Sequence, residues 1–143
     1  MTTNTAIPWE TIRQFNFTNP PKKLLGRSEE VDRKYTKDSL IIKKKGGTTK
    51  YLTEKFLSNG NDYCMTHNNY PYYTEDDVVH YVIWFVGSTF ERYNNPFTIE
   101  KIIEDYKKDN DISEESEYVY YQNIEALRSI PSIPHLHVFI KIT

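Results

Sequence analysis

The stretch Val78 to Val86, VVHYVIWFV, constrains the fold more than any other part of the chain. It is β-branched and aromatic, and apolar on both faces, as a strand in the middle of a covered sheet must be. Tyr118 to Tyr121 is a second strand candidate. Leu136 to Ile142 is a third, with Pro131 and Pro134 just before it. The residues ahead of these strands read as helical. Pro8 suits the first turn of a short helix through Trp9, Ile12 and Phe15, and Pro20-Pro21 breaks the chain. Ser28 caps a longer helix, with Glu29 and Glu30 at the positive end of its dipole. Val31, Tyr35 and Ile42 share a face of that helix, and Gly46-Gly47 ends it. Thr48 or Thr49 opens a third helix carrying Tyr51, Leu52, Phe56 and Leu57, stopped near Asn59-Gly60. Thr98 reads as the cap of one more helix, IEKIIEDYKKD, with Phe97 and Ile102 spaced as a hydrophobic staple. Helices first and strands later predict an α+β fold: N-terminal helices packed on one face of a largely antiparallel sheet, with one further helix inserted.

With 143 residues the chain suits one domain, residues 1–143, around one core. Twelve Tyr and seven Phe supply large buried faces, many with a polar tip. The net charge of −2 gives no support to general nucleic-acid binding. Lys43, Lys44, Lys45 and Lys50 read as a solvated helix end. Cys64 is the sole cysteine, so no intramolecular disulfide forms, which fits a reducing compartment. The opening MTTNTAIPWETIRQF lacks the basic and apolar regions of a signal peptide. The longest apolar run, Tyr81 to Val86, is too short to span a bilayer. These features predict a cytoplasmic protein with no membrane partner. Lys far outnumbers Arg, and Asn, Ile and Tyr are abundant, a bias of AT-rich genomes such as those of protists or large DNA viruses; for a virus the setting is the host cytoplasm.

Four histidines are present, His67, His80, His135 and His137. Side chains alternate along a strand, so His135, His137 and Phe139 share one face, as do His80, Val82 and Trp84. If the two strands are neighbours, His80, His135 and His137 converge. Three readings fit such a cluster. The rings are core or hydrogen-bonding residues; or they are general acid–base or nucleophilic groups; or they bind zinc. No carboxylate is placed to orient the rings around a metal, so no metal and no other cofactor is expected. Cys64 and His67 make at most half of a metal site, and an ordinary loop or strand pair explains them better. There is no glycine-rich phosphate loop and no serine in a nucleophile elbow.

The run from His135 to Lys141 resembles the motif of the histidine-triad nucleotide hydrolases, which alternates three histidines with apolar residues; Phe139 stands here in the third position. A longer resemblance spans nearly the whole chain. Trp9, Leu25-Gly26-Arg27-Ser28-Glu29, Tyr35, Gly47 to Leu57, Asn69-Tyr70-Pro71-Tyr72, Val79 to Trp84, Asn123, Arg128 to Pro131 and His135 to Phe139 are, in order and spacing, similar to the N-acetylglucosamine-induced protein family. That family is widespread in fungi and has no established chemistry. The chain is a compact form, with a brief loop after Tyr72. The resemblance implies a candidate polar set of Arg27, Asn69, Tyr72, His80, Asn123, Ser129, His135 and His137.

Two function classes follow, with a third beside them. In the first, a histidine-bearing pocket binds or acts on a small anionic metabolite, a sugar phosphate or nucleotide. Arg27 holds the anion, His135 or His137 moves protons, and Tyr72 and Trp84 form walls. In the second, the domain is a non-catalytic module whose aromatic residues stack on a nucleobase, RNA end or sugar. In the third it is a protein-interaction domain with structural histidines. Whether the domain is an enzyme, and its oligomeric state, stay open at this stage.

Overall fold

A computed structural model of the chain describes residues 2–15, 25–122 and 133–143. The central strand forms as its composition requires. β1 (Tyr63–His67), β2 (Val78–Phe85), β3 (Tyr118–Tyr121) and β4 (His135–Lys141) make one antiparallel sheet in the order β1-β2-β4-β3. β2 is buried at every position but Val79, which is half-buried. β2 and β4 are adjacent, with Val82 opposite His137, Trp84 opposite His135 and His80 opposite Phe139. This is the pairing that brings the three histidines to one face. The Pro20-Pro21 break and Pro131 lie outside the described residues.

Five α-helices accompany the sheet among the described residues: α1 (Trp9–Ile12), α2 (Glu29–Lys44), α3 (Thr48–Phe56), α4 (Phe90–Tyr93) and α5 (Pro96–Asp109). Ser28 caps α2, its hydroxyl oxygen accepting the Val31 N–H at 3.3 Å. Gly46 and Gly47 take φ of 113° and 98°, which only glycine adopts without strain, and turn the chain from α2 into α3. α5 begins earlier than Thr98. Asn95 is its cap, accepting the Thr98 N–H at 2.9 Å, and Pro96 occupies the first turn. The cap and a proline with preset φ outweigh the weaker threonine signal. Phe97 is 82% exposed, so no staple forms.

The N-terminal helices cover one face of the sheet, as expected, and α5 covers the other. Ile99, Ile102 and Ile103 of α5 pack with Tyr81, Ile83, Phe85, Leu136, Val138 and Ile140. On the histidine face the cover comes in two parts. Ile7, Trp9, Ile12, Phe15 and Leu25 close over Phe139 and Tyr121. Leu52 of α3, with Phe56 beside it, closes over Val82 and Trp84. His80 and His137 stand between these two clusters.

Candidate functional site

His80, His135 and His137 are each at least nine-tenths buried. His80 Nε2 lies 2.9 Å from His137 Nδ1. His80 Nδ1 accepts the backbone N–H of Tyr72 at 3.1 Å. His135 Nδ1 lies 2.7 Å from the Ile133 carbonyl oxygen. Burial, then His137 and Arg27, holds the His80 ring well below its ordinary pKa. Burial, then His135 and Arg27, brings His137 down to about 3. Both rings are therefore neutral at physiological pH.

Arg27 sits just ahead of α2, half-buried. Its Nε donates to the Tyr70 carbonyl at 2.9 Å. Its guanidinium lies 4.5 Å from the centre of the Tyr35 ring and 5.6 Å from that of Tyr72. Among the described residues no carboxylate pairs with it. The loop carrying Tyr70 is tied to α2 by the Tyr70 hydroxyl, which donates to Asp38 at 2.9 Å. Burial and Asp38 raise the Tyr70 pKa to about 12, so the hydroxyl keeps its proton.

Between α2, α3 and the sheet lies a cavity of about 70 Å³, lined in part by Arg27, Tyr35, Asn69, Trp84, His135 and His137. Trp84 packs parallel to Phe56, with planes 8° apart, and meets the His135 ring at 4.9 Å. Its indole N–H is buried without an acceptor among the described residues. The one cation among the described residues lining the cavity is the Arg27 guanidinium, accompanied by the hydroxyl and amide side chains of Ser39, Thr48, Asn68 and Asn69. A guanidinium without a carboxylate partner among the described residues, with hydroxyl and amide groups around it, suits an anion.

A family model described as a protein of unknown function (DUF3605) matches residues 8–141. The chain belongs to the DUF3605 family. It is similar to N-acetylglucosamine-induced protein 1 of Candida albicans, 27% identical over 109 residues, which cover 71% of this chain and 43% of the relative. The chain thus spans less than half the length of that relative. The crystal structure of HTC1 shares the fold at a TM-score of 0.50 and 20% identity, over 82% of this chain and 76% of that one.

Within the DUF3605 domain, Arg27, Asn69, Trp84, His135 and His137 come together at the cavity. His80 and Tyr72 stand behind it, where they line an adjoining groove. Asn123 and Ser129 lie outside the described residues. Cys64 and His67, three apart on β1, point to opposite faces. Among the described residues no group of three metal-ligating side chains is arranged to hold an ion, and none of their helices is long and apolar enough to cross a membrane. Asn68 went unread in the sequence. Its side-chain oxygen accepts the Tyr70 N–H at 2.8 Å, shaping the loop that presents Tyr70 and Tyr72. The Asx-turn preference of asparagine is the signal that could have found it.

Proposed function

We propose that the DUF3605 domain binds a small anionic metabolite, a sugar phosphate or nucleotide, in the cavity between α2, α3 and the sheet. The observation that carries this reading is Arg27: a half-buried guanidinium on the cavity wall, without a carboxylate partner among the described residues. The Tyr70 carbonyl and the Tyr35 and Tyr72 rings offset part of the cost of burying this cation, and an anion would supply the opposite charge they do not. The cavity holds a phosphate-sized group more readily than a whole nucleotide, which places the remainder of the ligand toward the mouth. His135 lines the same cavity, and its imidazole is the candidate proton-transfer group beside the ligand. A free, half-buried Cys64 suits a reducing, cytoplasmic setting.

Thermal-shift titration with inorganic phosphate, ribose 5-phosphate and AMP tests the reading. Wild type should be stabilised by at least one of them, and Arg27→Met should lose about tenfold or more in affinity for it. An Arg27→Met protein that binds as tightly as wild type would overturn the assignment of Arg27 as the anion holder.

A further inference from the structure

The cavity between α2, α3 and the sheet has two unlike ends. At one, the Arg27 guanidinium rests 5.6 Å from the centre of the Tyr72 ring, which stacks in turn on His80 at 4.8 Å. At the other, Leu52 and Phe56 of α3 close over Val82 and Trp84. His80 and Trp84 are four residues apart on β2, which is about 13 Å of strand. An anion held by Arg27 therefore leaves the second end unfilled. That end is apolar, and sugar hydroxyls placed against it would give up water without gaining partners. A flat aromatic ring suits it, since Phe56 already stacks on Trp84 with planes 8° apart. The Trp84 indole N–H is also buried without an acceptor among the described residues, and a nucleobase carries edge acceptors that a hydrocarbon ring lacks.

We propose that the site takes a nucleoside phosphate in preference to a sugar phosphate, with the phosphate on Arg27 and the base beneath α3 against Trp84, and that α3 is the lid that admits it. This rests on the anion site proposed above and names its ligand. The cavity of about 70 Å³ is far below the roughly 300–1,000 Å³ of ordinary ligand pockets, so the mouth opens where a wall gives way. The floor is fixed, because Val82 and Trp84 lie on β2, which is paired with β1 on one side and β4 on the other. α2 is tied to the loop beside it, by Arg27 to the Tyr70 carbonyl and by the Tyr70 hydroxyl to Asp38. α3 is held more lightly. Leu52 is its one buried residue. Gly46 and Gly47 precede it and Gly60 follows it, with φ of 113°, 98° and 85°. Glycine moves between backbone regions at little cost, so the turns at both ends let the helix swing as a unit. Lifting α3 parts Phe56 from Trp84 and frees a stacking surface for the base.

Calorimetry on the wild-type protein with AMP, ribose 5-phosphate and inorganic phosphate tests the ligand class. AMP should bind roughly tenfold or more tighter than ribose 5-phosphate, which differs from it by the base. AMP binding no tighter than ribose 5-phosphate would overturn the base site and leave the anion site standing. Binding of none of the three would defeat both. Proton–nitrogen NMR then places the base. The Trp84 indole N–H signal should shift with AMP and stay in place with ribose 5-phosphate. A preference for AMP with an unmoved Trp84 signal would put the base elsewhere and overturn its placement. Amide hydrogen exchange tests the lid: the α3 amides should exchange faster than those of β2 in the free protein and slow with AMP but not with inorganic phosphate. Amides in α3 protected as strongly as those of β2, or indifferent to AMP, would overturn the lid. Phe56 is only half-buried, and Phe56→Ala should narrow the preference for AMP by about fivefold or more. A Phe56→Ala protein that keeps the whole preference would show that α3 does not close on the base.

Discussion

The His80 imidazole stacks on the ring of Phe139, its partner across the β2–β4 ladder, with ring centres 4.3 Å apart and planes 16° apart. The alternation of histidines along β4 stops at Phe139, and the third imidazole of this face comes from the neighbouring strand. Phe139 is fully buried and also packs against the rings of Tyr72 and Tyr121. It therefore supports both the N-terminal cover and the His80 ring. Phe139→Ala should cost about 3–5 kcal/mol in urea unfolding. Phe139→Leu, which keeps most of the volume, should cost clearly less. Equal losses for the two variants would mean that the filled volume is not what matters there.

Acid should destabilise the protein well above the carboxylate range. His80 and His137 titrate below 6.5 in the folded chain, His137 at about 3, and near 6.5 once unfolded. Between these values the unfolded chain binds more protons than the folded one. Stability from this source is thus complete above about 6.5 and declines as pH falls toward the folded values. Asp77, held below 3.8 by Lys141, adds its own loss only at lower pH. The urea midpoint should fall between about pH 7 and pH 5, with a smaller fall in a His80→Gln, His137→Gln double variant. A wild-type midpoint constant across that interval would contradict the neutral buried pair.

Lys107 is the next test, because its charge is almost entirely enclosed. Its Nζ donates at 3.0 Å to the carbonyls of Glu114 and Ser116 and pairs with Glu104 at 3.2 Å. It thereby holds the turn that delivers β3, and with it Tyr121, to the edge of the histidine face. Lys107→Met keeps the apolar stem and removes the donor. It should cost about 1–3 kcal/mol for the buried Ser116 carbonyl alone. Denaturant unfolding checks this, and a neutral result would show that water serves those carbonyls equally well.

The parts of this architecture that could be read in the sequence are those where one local signal suffices. VVHYVIWFV is apolar in both registers, so it had to be central, and the period of two then put His80, His135 and His137 on one face once β2 met β4. Ser28 capped α2 where a serine before two glutamates should. β1 escaped because Tyr63 to His67 is an edge strand, half-buried and mixed in polarity, with no clean alternation to betray it. The start of α5 is ambiguous by three residues in the sequence because Asn95-Pro96 and Thr98 are both plausible openings, and only the hydrogen bond from the Thr98 amide decides between them. The surroundings of Arg27 were beyond local reading. Tyr35 lies one helix turn or more away and Tyr72 on a returning loop, and tertiary packing alone sets the guanidinium between them.

Tyr72 separates two functions that a single side chain usually confounds. Its backbone N–H orients His80, whereas its ring stacks on His80 at 4.8 Å and on His137 at 5.7 Å. Substitution by alanine removes the ring and leaves the amide. If the amide sets the tautomer and the ring supplies the burial, Tyr72→Ala should keep the His80 proton on Nε2 while letting water reach the imidazole. The His80 pKa should then rise toward 6.5, because burial is the largest cause of its depression. The Arg27 guanidinium loses one of its two ring contacts in the same variant, which should weaken phosphate binding without abolishing it. Titration of the His80 ring signals by NMR measures the first effect and calorimetry with phosphate the second. A His80 ring that titrates as in wild type would assign its burial to the Phe139 side of the stack instead, and a change of tautomer would show that the loop from Asn68 to Thr74 depends on the Tyr72 ring for its shape.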